Sequence, residues 1–218
     1  EIKKYIGDEE EVIIPSIFCG RSVTVIKMLA FCQEEKIRSV TIPDCVEEIE
    51  MFAFSECINL ERVKLPSELY ELSPGVFKGC VKLEIVNLPE TIEKIGAGAF
   101  QNCVSLEEIQ FPEGLDTIDV EAFASCEQLA RLNIPTNVQI IGGKAFSDTP
   151  WLRNHTEKFV IGGNNVLIHF NGDETEVYIP EKITYIGNVF ESNNIITKVI
   201  IPESVTDIGK YAFSDCVN

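Results

Sequence analysis

The chain has 218 residues, of which 45% are hydrophobic and 24% charged, enough for one large domain or two small ones with a substantial core. Asp and Glu total 35 against 18 for Lys and Arg, which gives a formal net charge of −17 at pH 7. Nucleic acids and anionic lipids both attract basic surfaces, so this charge argues against binding to either. No apolar run approaches the roughly 18–20 residues of a membrane-spanning helix, which argues against membrane insertion. The chain begins at Glu1 without a signal-like segment, so we expect a processed or trimmed chain.

An internal repeat runs through almost the whole sequence. Proline follows an apolar residue at Pro15, Pro43, Pro66, Pro89, Pro112, Pro135, Pro180 and Pro202, and the four steps from Pro43 to Pro135 are 23 residues each. Aliphatic residues stand three and six positions after the prolines from Pro43 onward, and every period contains a phenylalanine. The step of 45 residues from Pro135 to Pro180 is one period with an insertion of 22 residues. A fixed period of this length predicts stacked repeats that bury a shared core, because one unit cannot bury its apolar face alone.

Each period has the pattern of one coil of a solenoid. Residues 60–65 alternate in polarity before Pro66, which predicts a short strand that the proline ends. Val46 and Ile49 predict a second brief extended segment, and glycines such as Gly96 after the equivalent residue predict a corner at positive φ. The three-residue spacings of 54–60 predict one turn of α or 3₁₀ helix. We therefore expect a right-handed β/α superhelix of coils of about 23 residues, with parallel strands and short helical or 3₁₀ turns.

The repeat motif resembles that of a known family. It can be written Pro43-x-x-Val46-x-x-Ile49-x₃-Ala53-Phe54-x-x-Cys57-x-x-Leu60-x-x-Val63-x-Leu65-Pro66. This motif resembles the BspA-type leucine-rich repeat, also called the Treponema pallidum type, over residues 12–218. The resemblance implies a leucine-rich-repeat solenoid in a bacterial cell-surface or secreted protein, with adhesion or binding of a host protein as its role.

The repeats predict a single domain over residues 1–218. We divide it into an N-terminal cap (1–19), repeats (20–153), a hairpin-like insert (154–176) and further repeats (177–218), the last incomplete. Within the insert, 159–161 and 166–170 are apolar runs separated by a Gly-Gly-Asn-Asn turn, a pattern typical of a β-hairpin. The incomplete last repeat leads us to expect further repeats in the natural protein. We favour a structural role for the insert, in which it replaces about one coil, over a binding role.

The eight cysteines are a candidate disulfide or metal set. Five of them occupy one repeat position and form what we call the cysteine ladder: Cys57, Cys80, Cys103, Cys126 and Cys216. Side chains at one position of successive coils point in parallel, whereas a disulfide needs facing Cβ atoms and a zinc site needs converging ligands. We therefore expect buried, reduced thiols that pack as small apolar residues. A bridge between one pair among Cys19, Cys32 and Cys45 remains an alternative.

Residues that could carry catalysis are few. No Ser-His-Asp set, nucleophile elbow or phosphate-binding glycine loop occurs, so we expect no enzyme activity and no cofactor. His155 and His169 have no ligating partner at metal spacing, and we interpret them as loop and strand histidines. The carboxylates follow the repeat, which predicts a solvated rim. The alternative is an acidic ridge that binds a basic protein or calcium.

The outward strand positions are the best candidates for recognition. They carry varied side chains at Ser39, Thr41, Arg62, Lys64, Ile85, Asn87, Glu108, Gln110, Arg131, Asn133, Lys198 and Ile200. Among them we select six candidate partner-binding residues: Arg62, Lys64, Asn87, Gln110, Arg131 and Asn133. The cations among these six would bind the carboxylates of a partner protein. The alternative is that they merely neutralise the neighbouring Glu61, Glu84 and Glu108.

Our leading hypothesis is a non-enzymatic protein-interaction module, because a solenoid offers a long, rigid surface for macromolecules. Its partner would be a protein, with host extracellular or surface proteins as the class that the resemblance implies. The alternative is a structural spacer that positions another domain, catalytic or wall-anchoring, outside this chain.

Overall fold

The structure is a computed structural model that describes all residues 1–218. It contains eighteen short strands and one helical turn. In chain order these are β1 (Glu11–Ile13), β2 (Ile17–Phe18), β3 (Arg21–Ser22), β4 (Val25–Ile26), β5 (Ser39–Thr41), β6 (Glu48–Ile49), β7 (Arg62–Lys64), β8 (Glu71–Leu72), β9 (Ile85–Asn87), β10 (Lys94–Ile95), β11 (Thr117–Ile118), β12 (Ile140–Ile141), α1 (Pro150–Arg153), β13 (Phe159–Gly162), β14 (Val166–Phe170), β15 (Glu176–Tyr178), β16 (Tyr185–Ile186), β17 (Lys198–Ile200) and β18 (Asp207–Ile208).

One side of each coil is formed by the strand that precedes the proline. Strands β1, β5, β7 and β9 pair in parallel in that order, and β15 pairs with β17 farther along. Their central residues Val40, Val63, Val86 and Val177 are buried, while the flanking side chains point outward. We call this outward side of the first strand row the strand face.

A second strand row forms another side of the coils. Strands β8, β10, β11 and β12 pair in parallel, β4 pairs with β6, and β14, β16 and β18 continue the row toward the C terminus. Most of these strands bury an aliphatic side chain, as Leu72 in β8 and Ile95 in β10 show. The proline between the two strands of a coil ends the first strand, because it has no N–H to donate to the ladder.

The third side of each coil, which we call the turn side, consists of successive turns. The helical turn that the sequence predicted there is wrong. The Ala53 and Ser55 N–H groups close turns on the carbonyls of Glu50 and Phe52, at 3.2 and 3.1 Å. Phe52 and Glu56 have positive φ angles of 57° and 59°. Because residues with positive φ angles recur along this side, every second N–H points toward the next coil. Phe54, for example, donates its N–H to the Val76 carbonyl at 2.9 Å. In a helix, those N–H groups would donate to carbonyls of the same segment and could not bond the next coil.

The glycines at the corners also differ from the prediction. Neither Gly96 nor Gly142 has a positive φ angle. A Cβ atom on Gly142 would lie 2.3 Å from the Val120 nitrogen, and one on Gly96 would lie 2.7 Å from the Leu72 carbonyl oxygen. Glycine is therefore needed because the backbone of the preceding coil passes too close for any side chain.

A column of phenylalanine rings fills the interior. Phe31, Phe54, Phe77, Phe100, Phe123 and Phe146 are stacked with ring centroids 4.8–5.7 Å apart. Tyr5 extends the column at its N-terminal end, 5.1 Å from Phe31, so that the first residues cover the open core. The column belongs to one cluster of 42 buried residues, and nine more form a second cluster around Phe190.

The inserted segment contains a hairpin that joins the solenoid. Strands β13 and β14 pair antiparallel, and β14 also pairs in parallel with β16 in the second row. Val166 belongs to the larger cluster and Leu167 to the smaller one, so β14 bridges the two cores. Before the insert, Trp151 in α1 packs on the end of the phenylalanine column, 4.9 Å from Phe146. The division of the chain into cap, repeats and insert stays a prediction.

The predicted solenoid of stacked coils with parallel strands is confirmed. No helix in the structure combines the length and the apolar character that crossing a bilayer requires.

Candidate interaction surface

The six candidate residues lie along the strand face. Arg62 and Lys64 are in β7 and Asn87 is in β9, where the register places Lys64 beside Asn87. Gln110, Arg131 and Asn133 follow on the next coils, outside regular strands, and all six side chains are exposed. The structure therefore puts them on one surface, while their part in binding stays a prediction.

Only one of the three cations is neutralised by neighbouring carboxylates. The Arg131 guanidinium lies 2.9 Å from a Glu108 oxygen and 3.3 Å from a Glu107 oxygen. The hydrogen bond from Arg131 lowers the pKa of Glu108, and a second one from Gln110 contributes. Arg62 and Lys64 form no ion pair on the strand face.

A groove of about 770 Å³ opens on the strand face and is lined by residues of three successive coils. Ionisable and amide groups line it together with a few apolar side chains; the lining comprises Glu84, Ile85, Val86, Asn87, Leu88, Glu90, Ser105, Glu107, Glu108, Gln110, Phe111, Pro112, Gln128 and Arg131. The structure thus brings together Asn87, Gln110 and Arg131, and leaves the other three candidates outside the groove. Its volume is within the range of about 300–1,000 Å³ that ligand sites occupy.

The first strand row is interrupted at this groove. On either side of the groove, a backbone N–H donates to a carbonyl of the preceding coil. The Glu84 N–H donates to the Glu61 carbonyl at 3.0 Å, and the Ala130 N–H donates to the Glu107 carbonyl at 3.1 Å. The equivalent bond from Glu107 to Glu84 is missing, and the ladder resumes only at an isolated bridge between Glu108 and Arg131. Two coils that remain paired in the second row by β8 and β10 therefore lack this main-chain pairing on the strand face.

An aromatic residue lies at this interruption. The position before the repeat proline is aliphatic in the other coils, for example Ile42, Leu65 and Leu88, but it is Phe111 here. The Phe111 ring packs edge-on against Phe123 with centroids 5.6 Å apart. Sequence reasoning did not select Phe111, although this single departure from the repeat was visible, and it assigned the repeat carboxylates to a solvated rim, with an acidic ridge that binds a basic protein or calcium as the alternative.

The cysteine ladder lies away from the strand face and has a structural role. All eight cysteines are free thiols, as we expected for the ladder. Each ladder thiol donates to the carbonyl of a phenylalanine in the preceding coil, from 2.9 Å for Cys57 to 3.2 Å for Cys103. The ladder thiols therefore do more than pack as apolar residues. Burial raises the pKa of Cys126 to about 12 and that of Cys103 well above its ordinary value.

The histidines contribute no site. The His155 Nδ1 lies 2.9 Å from a Glu157 oxygen, and its ring packs edge-on against Trp151. His169 lies in β14, where burial lowers its pKa. No group of three or more His, Cys, Asp or Glu side chains is placed to hold a metal ion.

Comparisons with known proteins agree with this architecture. A family model described as the BspA type leucine rich repeat region matches residues 24–153 and 169–218 in six copies. No curated protein matches the sequence.

Three solved structures are similar in fold. The T. pallidum leucine-rich repeat protein is 25% identical with a TM-score of 0.55, over 74% of this chain and 90% of that one. A leucine rich cell surface protein from Faecalibacterium prausnitzii is 24% identical with a TM-score of 0.60, over 98% and 69% of the two chains. The pneumococcal vaccine antigen PcpA is 22% identical with a TM-score of 0.59, over 97% of this chain and 60% of that one. The family model covers most of the sequence and the stacked coils carry its repeat, so the chain belongs to the BspA-type leucine-rich repeat family.

Proposed function

We propose that the chain is a non-enzymatic protein-interaction module of a bacterial cell-surface or secreted protein, and that the strand face carries its contacts. Extended repeat surfaces of this kind suit macromolecular partners, since many side chains stand on one rigid scaffold. A host extracellular or surface protein is the partner class that we propose.

The observation that supports this role is the contrast between the two sides of the first strand row. The inward positions are aliphatic in every coil, for example Val40, Val63, Val86 and Ile109. The outward positions change from coil to coil in charge, amide content and size, and they border the groove. Variation confined to a rigid exposed face is what recognition requires, whereas packing requires uniformity inside.

The cellular location is supported by what the structural relatives are called. The Faecalibacterium protein is described as a cell surface protein and the pneumococcal one as a vaccine antigen. Both descriptions belong to those proteins, and we extend them to this chain as part of the proposal.

Site-specific crosslinking tests the interaction role. A photoreactive phenylalanine analogue would be placed at Asn87 on the strand face or, as a matched control, at Glu71, an exposed strand residue of the second row. We expect adducts with proteins of host extracellular matrix or serum from position 87 and far fewer from position 71. Equal yields at both positions would contradict recognition by the strand face. The absence of adducts from either would favour the spacer alternative.

A charge-removal variant then tests the three cations. We expect the triple variant Arg62→Ala, Lys64→Ala, Arg131→Ala to keep its melting temperature, because these exposed side chains make at most rim ion pairs. Binding of the crosslinked partner should weaken by tenfold or more, about 1.4 kcal/mol, if its carboxylates meet these cations. Undiminished binding by the folded variant would remove the cations from the proposed site.

A further inference from the structure

The interruption of the first strand row leaves backbone groups without partners on both sides of the groove. In a parallel ladder, the N–H and C=O of one residue point to the same neighbouring strand, and successive residues alternate. Ile85 donates its N–H to Glu61 in the preceding coil, at 3.4 Å. Val86 therefore points its backbone groups toward the groove, where its N–H has no backbone acceptor. Across the groove, the Glu107 and Gln110 N–H groups also lack one.

Such groups have the chemistry of a sheet edge. Unpaired strand edges bind extended polypeptides by main-chain hydrogen bonds, and pockets for alternate side chains add specificity. Here the edge lies inside a groove, and Ile85, Leu88 and Phe111 provide apolar contacts along it. The Ile85 side chain is 50% exposed, so part of this apolar surface is still available for a ligand.

The charge of the groove selects among extended peptides. Four carboxylates line it, from Glu84, Glu90, Glu107 and Glu108, against the single guanidinium of Arg131. Arg131 already pairs with Glu107 and Glu108, whereas Glu84 and Glu90 form no ion pair. An acidic peptide would meet uncompensated like charge, and Lys or Arg side chains would find carboxylates.

We propose that this groove binds an extended peptide segment rich in Lys or Arg, held by backbone hydrogen bonds to the edges at Val86 and at 107–110. We attribute the missing pairing to Phe111, because its ring is larger than the aliphatic side chains at this repeat position and packs edge-on against Phe123 of the following coil. This inference rests on the proposed function, since it names the chemistry of a segment that the strand face would recognise.

Synthetic peptides provide the probes. Binding of a fluorescein-labelled Lys-Val-Lys-Val-Lys peptide would be followed by anisotropy, beside the same peptide with Glu for Lys and one with alternate backbone amides N-methylated. We expect saturable binding of the basic peptide and at least tenfold weaker binding of the other two. Equal affinity of the N-methylated peptide would overturn the backbone pairing, because charge alone would then account for binding.

Two variants of the chain complete the test. The double variant Glu84→Gln, Glu90→Gln should weaken binding of the basic peptide by about tenfold, because two exposed ion pairs with the Lys side chains of the peptide would be lost. Phe111→Leu should let the ladder close, which slows hydrogen exchange at Glu107 and removes peptide binding without a lower melting temperature. Its matched control is Ile42→Leu, the same repeat position in a coil whose ladder is intact, where Ile42 donates to the Lys64 carbonyl at 3.0 Å. This control should bind normally.

The outcomes separate this inference from the proposed function. Unchanged binding in Phe111→Leu together with slowed exchange at Glu107 would overturn the groove as the site. If the basic peptide fails to bind the unaltered chain while position 87 still crosslinks to a protein, the inference is wrong and the proposed function stands. If position 87 gives no adduct but the peptide binds in the groove, the peptide site stands and the wider protein-binding role falls.

Discussion

Truncation of one ring in the phenylalanine column would measure how strongly the stacked coils depend on it. Phe100 is fully buried between Phe77 at 5.6 Å and Phe123 at 5.2 Å. Loss of a buried phenylalanine side chain costs about 3–5 kcal/mol, and each ring contact adds about 0.5–1.5 kcal/mol beyond its area. We expect Phe100→Ala to lie near the upper end, about 5 kcal/mol, since two ring contacts are lost.

Two controls isolate the cause. Phe213 occupies the same repeat position but is only half-buried and stacks on one ring, Phe190 at 5.3 Å, so Phe213→Ala should cost about half as much. Glu90→Ala on the exposed rim should stay within about 0.5 kcal/mol. Urea unfolding followed by far-UV circular dichroism gives the three free energies, and the fluorescence of the single tryptophan, Trp151, reports the C-terminal end of the column. Equal losses for Phe100→Ala and Glu90→Ala would mean that the inside and outside of the coil are misassigned.

Three further predictions concern the corners and the thiols. Gly142→Ala should cost about 1–3 kcal/mol, because its Cβ would overlap the Val120 backbone, whereas Gly114→Ala, with 3.7 Å of space, should be nearly neutral in the same urea assay. The Cys126 thiol has an ordinary pKa of 9.0 that the fold raises to about 12, so the unfolded chain ionises first. The free energy of unfolding should therefore fall as pH rises from about 9 to 12, and it should fall less in Cys126→Ala; an equal fall of the urea midpoint in both proteins would contradict that assignment. Under native, non-reducing conditions, mass-mapped alkylation should label the exposed Cys19 far faster than the four buried ladder thiols of Cys57, Cys80, Cys103 and Cys126, and any disulfide within the cysteine ladder would refute the parallel arrangement.

The repeat explains why so much of the fold could be predicted. Aliphatic residues at fixed distances from each proline identify both strand rows, and Phe54 with its equivalents identifies the core column, because a solenoid repeats the same local environment. The predicted helical turn failed for a physical reason. A three-residue apolar spacing suits both a helical turn and consecutive β-turns, and inter-coil bonds such as Phe54 to Val76 favour the turns. Such bonds link residues 22 apart and leave no local signal.

The candidate residues show the same limit. Alternating polarity placed all six on the strand face, but the sequence could not show that Arg131 would be neutralised while Arg62 and Lys64 would remain without ion pairs. Ion pairing depends on side-chain distances between coils, which the repeat period does not determine.

By itself the sequence determined the solenoid, its core, its acidic charge and the surface on which side chains vary, because each follows from spacing and composition repeated along the chain. Only the tertiary structure decided where a groove forms on that surface. The groove arises where Glu107 fails to bond Glu84 beside Phe111, and such a break depends on how two whole coils stack. Tertiary packing likewise decided that Gly142 is required by the approach of the preceding coil rather than by its own φ angle. Both are contacts between coils, and a period read along one chain cannot specify how closely its copies approach one another.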